Sequence, residues 1–192
     1  MNAASAIDHI LSLMRRSLPE NLTYHGVDHT LLVMEAANRI ARAENLPEED
    51  SALVMVAAAY HDCGFIISYR DHEARSCDIA ATELPGFGFS AESIAIVQRM
   101  IMCTRLPQRP TTLSESVLCD ADLDYLGGKE YFRIAQGLHE ELLLNGVEMD
   151  SQKWVSVQIN FLESHTYWTA YAREFLQPGK EAVLAELKGI LG

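Results

Sequence analysis

The stretch Ala52-Leu-Val-Met-Val-Ala-Ala-Ala-Tyr60, followed directly by His61-Asp62, decides how the rest of the chain is arranged. A helix made from its first nine residues would be apolar on every side, which is typical of a buried central helix. An imidazole and a carboxylate at the end of such a helix are costly to bury unless they are paired or bound to something. A divalent cation would satisfy both groups at once. The stretch therefore predicts a central helix that ends at a candidate metal-binding pair.

Apolar residues recur at helical spacing along most of the remaining chain. This pattern predicts helices over about 5–18, 28–45 (with Asp28 as N-cap), 72–84, 90–103, 112–126, 129–145 and 154–175, and a last short helix after Pro178-Gly179. Gly64 to Asp71 is expected to be an irregular loop. No segment alternates with a period of two, and no internal repeat or linker is evident. The sequence therefore predicts a single all-α domain over residues 1–192.

The composition favours a cytoplasmic globular protein. Apolar residues make up 48% of the chain, and the net charge is -12, which disfavours a nucleic-acid partner. The four cysteines are scattered and are expected to be buried thiols rather than a disulfide framework. The N-terminus lacks the pattern of a signal peptide, and no run of about 18 apolar residues predicts a membrane span.

Four residues on three predicted helices form a candidate metal-ligand set. His29 and Asp122 lie among apolar neighbours, as His61-Asp62 does, and a buried aspartate should be either paired or bound to a metal. Two imidazoles and two carboxylates suit one divalent ion such as Mn²⁺, Mg²⁺, Fe²⁺, Ni²⁺ or Zn²⁺. Asp120 competes with Asp122 for the last ligand position.

His29, then His61-Asp62 after an apolar helix, then Ala121-Asp122 resembles the HD superfamily of metal-dependent phosphohydrolases. The resemblance implies an all-α core over about 22–128, on which C-terminal helices over 129–192 pack. It also implies one divalent metal held by His29, His61, Asp62 and Asp122, and hydrolysis of a phosphate ester or anhydride, often in a nucleotide. The superfamily's pattern favours Asp122 over Asp120, which would then be a neighbour of the ligands or a surface residue. Residues 120–127 resemble a bacterial subgroup with members near or fused to nucleotide cyclases.

Two further histidines are candidate catalytic residues. Tyr24-His25-Gly-Val-Asp-His29 resembles the Tyr-His-Asn-x-x-His stretch of cyclic-nucleotide phosphodiesterases, which implies His25 as a general acid, although Gly26 replaces the Asn. His72 is similar to one of the extra histidines of two-metal members. The second would be expected near Cys103-Thr104, where none is present. The resemblance therefore implies one metal, with His72 near the substrate phosphate or behind the ligands.

The sequence identifies less clearly which basic residue binds the substrate phosphate and which residues bind the rest of the substrate. Phe65 stands where the superfamily often has a Lys. The candidates for bidentate binding of the phosphate are therefore Arg70, Arg75 or Arg105. The aromatic stripe of Trp154, Phe161, Trp168 and Phe175 is expected to pack in the core or against a second subunit, with a base-binding pocket as the alternative. The pair Glu140-Glu141 is expected to be a solvated helix face.

These observations together predict a metal-dependent phosphohydrolase. Its expected substrate is a small phosphorylated compound, such as a nucleotide, and the activity is that of a phosphomonoesterase or a phosphodiesterase. Asp62 is expected both to ligate the metal and to orient the attacking water, while His25 or His72 protonates the leaving group. The alternative is a non-catalytic, metal-stabilised nucleotide-sensing or regulatory module. A homodimer through the last third of the chain is also considered.

Overall fold

The chain folds into helices joined by short turns. A computed structural model describes residues 1–191. Within that part of the chain there is no β-strand, and the α-helices are α1 (Ala3–Ser17), α2 (Val27–Ala43), α3 (Glu48–Tyr60), α4 (His72–Glu83), α5 (Ala91–Thr104), α6 (Leu113–Asp122), α7 (Tyr131–Leu144), α8 (Ser151–Ser164), α9 (Ala170–Phe175) and α10 (Gln177–Leu191). The all-α fold class predicted from the sequence is confirmed. None of the described helices is both long and apolar enough to cross a membrane.

Helix α3 lies at the centre of the larger of two apolar clusters. Its residues from Val56 to Tyr60 are all fully buried, and the helix packs against α1, α2, α5 and α6. This burial is the expected result of a segment with no polar face, because every side of the helix gains from being removed from water. The last turn of α3 therefore delivers His61 and Asp62 into the interior.

The second apolar cluster is built from the C-terminal helices. Trp154, Leu162 and Tyr167 pack with residues of α7 and α10 and with the 3-10 turn Asp124–Gly127 that follows α6. Gly127 allows this packing, since a Cβ atom there would lie 2.3 Å from the carbonyl oxygen of Leu176. Trp154 is thus an interior residue. The organisation of both clusters as one domain stays a prediction.

The long helix predicted over 154–175 is wrong, because the chain is extended between α8 and α9. The carboxylate of Asp120 accepts hydrogen bonds from the backbone N–H groups of Trp168 and Thr169, at 2.9 Å and 2.7 Å. Thr169 then caps α9 by accepting the N–H of Ala172. A buried carboxylate that needs donors outweighs the helical periodicity here.

Three smaller differences concern helix ends. The N-cap of α2 is Gly26, and Asp28 lies in the first turn instead. The predicted loop after Asp62 begins with a 3-10 turn, Cys63–Ile66. Pro178 lies inside the first turn of α10 rather than before it, a position where its missing N–H costs no helical hydrogen bond.

Gly64 fixes the segment after His61-Asp62 against α4. Its N–H donates to Ser76 Oγ at 2.8 Å, and that hydroxyl donates to the carbonyl of His61 at 2.6 Å. A Cβ atom at Gly64 would lie 1.9 Å from the carbonyl oxygen of His72. Only glycine therefore allows the backbone at residue 64 to approach the backbone of α4 this closely.

We therefore expect Gly64→Ala to lower the free energy of unfolding by about 3 kcal/mol, because the backbone must move to admit the methyl group. The measurement is chemical denaturation followed by circular dichroism. Gly86→Ala is the matched control, since no atom lies within 4 Å of a Cβ built there. Equal stability of the Gly64→Ala and Gly86→Ala proteins would contradict the close packing described here.

Candidate metal centre

Three segments bring the four predicted ligands together. His29 lies in the first turn of α2, His61 and Asp62 directly follow α3, and Asp122 is the last residue of α6. His29, His61 and Asp62 are each less than 9% exposed. Helices α2 and α6 both pack on α3, which places their polar ends at one point.

The atoms that point toward one another in this cluster are imidazole nitrogens and carboxylate oxygens, which are all atoms that can ligate a metal. His61 Nε2 lies 3.1 Å from Asp62 Oδ2 and 3.5 Å from Asp122 Oδ1. His29 Nε2 lies 3.4 Å from Asp62 Oδ2 and 3.2 Å from Asp122 Oδ1. The two Nε2 atoms are 3.4 Å apart. His29, His61 and Asp122 form a group whose ligand atoms all lie within 4.8 Å of one another, while Asp62 is outside that group and lies close to both of its histidines.

The hydrogen bonding of the cluster fits a divalent cation. His61 Nδ1 lies 2.8 Å from the carbonyl of Ala58, so it carries the proton and the neutral ring turns the Nε2 lone pair to the carboxylates. Asp62 Oδ2 is fully buried and has no hydrogen-bond partner among the described residues. A buried carboxylate oxygen without a donor is costly, and a cation is the partner that satisfies it together with both imidazoles.

The electrostatics of the cluster favour a positive charge beside the Asp62 carboxylate. Burial alone would lower the pKa of His61, yet the adjacent Asp62 carboxylate raises it well above its ordinary value. Burial alone would raise the pKa of Asp62, and the positive charge on His61 instead holds it well below its usual range. A divalent cation takes over the role of the imidazolium proton, as metal ligation requires neutral imidazole.

A buried glutamate of α7 holds His25 beside this cluster. Glu141 Oε1 lies 2.5 Å from His25 Nδ1, and Glu141 Oε2 accepts the backbone N–H groups of Tyr24 and His25. Burial lowers the pKa of His25, but the hydrogen bond to Glu141 and the charge of Asp62 outweigh it and raise that pKa overall. The ring is therefore oriented through Nδ1, which leaves Nε2 as the nitrogen that exchanges a proton.

Phe65, the residue in place of the expected Lys, contacts both candidate catalytic histidines, whose rings lie 5.9 Å apart. Its ring stacks on His25 at 4.5 Å and on His72 at 4.0 Å between centroids. His72 Nε2 lies 3.4 Å from Asp62 Oδ1, on the opposite carboxylate oxygen from the one that faces His61. Burial lowers the pKa of His72. His72 is thus adjacent to a ligand and outside the group of ligand atoms.

Two cavities meet at the cluster, and Tyr24, Asp122 and Tyr125 line both. The charged cavity has a volume of about 440 Å³ and is lined by Asp28, Glu35, Arg39, Asp124, Lys129, Glu130 and Arg133, among others. The apolar cavity has a volume of about 500 Å³ and runs from Asp62, His25 and His72 to Trp154 and Phe161 of α8. The cluster is therefore reachable by a small molecule from both cavities.

Of the three arginines considered for phosphate binding, only Arg105 lines the apolar cavity. Its guanidinium is paired with Asp71, and Arg75 is paired with Asp78 at the exposed surface. Thr104 lines the same cavity in the region where a second metal-binding histidine was considered.

Two interpretations of acidic residues need correction. Asp120 is fully buried, so it is not a surface residue, and its carboxylate is occupied by Trp168 and Thr169. Glu141 is also fully buried, so the expectation of a solvated Glu140-Glu141 face is wrong for Glu141. Gly137 lies one helical turn before Glu141, and its carbonyl accepts a hydrogen bond from Thr23. In the sequence, Gly137 on the same face of α7 as Glu141 was the one signal that another segment packs against that face.

Comparisons with known proteins agree with this arrangement. The family model of the HD domain matches residues 26–124, which is more than half of the chain. The crystal structure of a predicted HD superfamily hydrolase from an uncultured Thermotogales bacterium superposes with a TM-score of 0.64 at 24% identity. That superposition covers 96% of this chain and 90% of the other. No curated protein matches the chain. The matched residues include His29, His61, Asp62 and Asp122, and the chain belongs to the HD domain family.

Proposed function

We propose that the protein is a metal-dependent phosphohydrolase that cleaves a phosphate ester or anhydride of a small molecule, such as a nucleotide. The observation that carries this proposal is the buried, unpartnered Asp62 Oδ2 beside two imidazoles, at the junction of two cavities. Membership of the HD domain family supports it. The solved relative is described as a predicted hydrolase, which agrees with the reaction class.

In this proposal His29, His61, Asp62 and Asp122 hold one divalent ion, of Mn²⁺, Mg²⁺, Fe²⁺, Ni²⁺ or Zn²⁺. When bound, the ion supplies positive charge that polarises a phosphoryl oxygen and acidifies water. Asp62 also orients the attacking water, because a carboxylate that ligates the ion through one oxygen can accept a hydrogen bond from the water through the other. The surrounding apolar bundle excludes other water and strengthens these interactions.

His25 protonates the leaving oxygen. As the water oxygen bonds to phosphorus, the bond from phosphorus to the leaving oxygen breaks and its electron pair stays on that oxygen. His25 Nε2 donates the proton that completes the alcohol, and the product phosphate keeps one hydrogen of the water. The other hydrogen of the water replaces the proton on His25, so the ring is restored. His72 lines the same cavity and is the alternative acid.

The first test is turnover of a panel of mono-, di-, tri-, dinucleoside and cyclic nucleotides with each of the five metal ions. We expect metal-dependent release of product by the unmodified protein and a loss of at least about 100-fold in the His61→Ala/Asp62→Ala protein. Circular dichroism of both proteins checks that the fold persists. Absence of turnover with every ion, from protein that binds metal, would favour the non-catalytic regulatory module instead.

Glu141 supplies a second, more specific prediction, because its carboxylate binds the ring of His25 and lies outside the ligand cluster. In Glu141→Gln the neutral amide no longer stabilises the imidazolium, so the pKa of His25 falls. A general acid must be protonated to act, and the alkaline limb of the pH–rate profile should therefore move to lower pH. We expect kcat at pH 8 to fall about 10- to 100-fold with a much smaller change in KM.

Glu140→Gln is the matched control, since the neighbouring Glu140 is exposed and its partner is Gln136 on the same helix. Its pH–rate profile should coincide with that of the unmodified protein. A Glu141→Gln profile that falls by the same factor at every pH would show a purely structural role and contradict the orientation of His25 by Glu141.

A further inference from the structure

We propose that the group released from the phosphate carries an apolar chain or ring, and that this group lies in the apolar cavity during hydrolysis. This inference rests on the proposed function and specifies the substrate class for that site. It follows from three independent features: the side of the cluster on which the candidate acids lie, the chemistry of the cavity wall, and the distribution of charge.

The candidate acids lie on one side only. His25 and His72 both line the apolar cavity, and neither lines the charged cavity, although both cavities reach Asp122. The acid must be within hydrogen-bond reach of the oxygen that leaves phosphorus. The bond to the leaving oxygen therefore points from the cluster into the apolar cavity, and whatever is attached to that oxygen occupies it.

The far wall of this cavity is mostly apolar. It is lined by Leu138, Leu142, Trp154, Val157, Phe161 and Gln158. Gln158 is the polar member, and Tyr131 donates its hydroxyl to Gln158 Oε1 at 3.0 Å while Gln158 Nε2 donates to the carbonyl of Trp154 at 3.4 Å. Few hydrogen-bonding groups of this wall could replace the water partners of a nucleobase, whereas a hydrocarbon group gains from leaving water.

The charge of the wall points the same way. Asp62, Asp71 and Glu73 line the apolar cavity, and Arg105 is already paired with Asp71. A second phosphate on the leaving group would meet Asp71 and Glu73, and among the described residues no lysine or unpaired arginine lines this cavity. Lys129 lines the charged cavity instead and forms no ion pair among the described residues. The departing alcohol is therefore uncharged, and its size is limited by a volume of about 500 Å³.

Adjacent residues of α7 separate the two cavities and supply matched variants. Ala135 lines the apolar cavity and Ile134 lines the charged cavity. Replacing Ala135 with Phe fills part of the apolar cavity, and replacing Ile134 with Phe enlarges a side chain on the other side of the same helix. Val157, which is 37% exposed at the apolar cavity, is a second position where a larger residue can be accommodated.

The experiment compares methyl, butyl and octyl phosphate with a nucleoside 5′-monophosphate, all of which release a primary alcohol, so that leaving-group chemistry is nearly constant. With the metal that supports turnover, we expect kcat/KM to rise at least about tenfold from methyl to octyl phosphate, and octyl phosphate to exceed the nucleotide. A flat series, or a nucleotide hydrolysed faster than octyl phosphate, would overturn the inference while leaving the proposed function intact.

The variants locate the effect. Ala135→Phe should lower kcat/KM for octyl phosphate at least about tenfold and leave methyl phosphate nearly unchanged, whereas Ile134→Phe should keep the chain-length preference. If Ala135→Phe does not fold, Val157→Trp takes its place. Equal losses for both esters, or a preference abolished by Ile134→Phe, would contradict the assignment of the apolar cavity.

A binding measurement keeps the inference separate from catalysis. In the presence of Mn²⁺, octylphosphonate should raise the melting temperature of the protein more than methylphosphonate does, and Ala135→Phe should remove the difference. If no phosphate ester is hydrolysed but this difference is present, the proposed function fails and the apolar site stands. Equal shifts from both phosphonates would overturn the apolar site.

Discussion

Two carboxylates and two imidazoles that share one buried space are the constraint on which the rest of this structure depends. Their facing atoms lie 3.1 to 3.5 Å apart, and Asp62 Oδ2 makes no well-aligned hydrogen bond to the described residues, although His61 Nε2 lies 3.1 Å from it. Such a cluster persists in an apolar interior only when a positive charge is added to it. The apolar helix α3 therefore makes it unfavourable to bury these charged groups without a cation. It also provides the low-dielectric surroundings in which a bound cation interacts strongly with them.

The two parts of the chain contribute different things to the site. The matched family region, residues 26–124, contains the four candidate ligands and His72. Other parts of the site come from outside that region: His25 precedes it, while Glu141 and the far wall of the apolar cavity belong to α7 and α8. In our account the family region holds the metal, and the C-terminal helices position the acid and select the departing group.

The sequence predicted features that depend on neighbouring residues better than features that depend on tertiary contacts. The central helix and the ligand set were predictable because a residue's burial followed from its immediate apolar neighbours, as for His61 after α3. The break before α9 was not, because it depends on Asp120, which is distant in sequence from Thr169. Glu141 was missed for the same reason, since its partners Tyr24 and His25 are brought to it only by the packing of α7. Phe65 could be identified from the sequence only as a missing Lys, and its contacts with His25 and His72 depend on the fold.

The most direct test of the central claim is calorimetric titration of chelator-treated protein with Mn²⁺, Mg²⁺, Fe²⁺, Ni²⁺ and Zn²⁺, with melting curves recorded before and after. We predict one ion bound per chain for at least one of these metals, with a raised melting temperature. Asp122→Asn should abolish binding, whereas Asp124→Asn, which removes a carboxylate paired with Arg39, should retain it. A chain that binds none of these ions and melts at the same temperature with and without them would contradict the account.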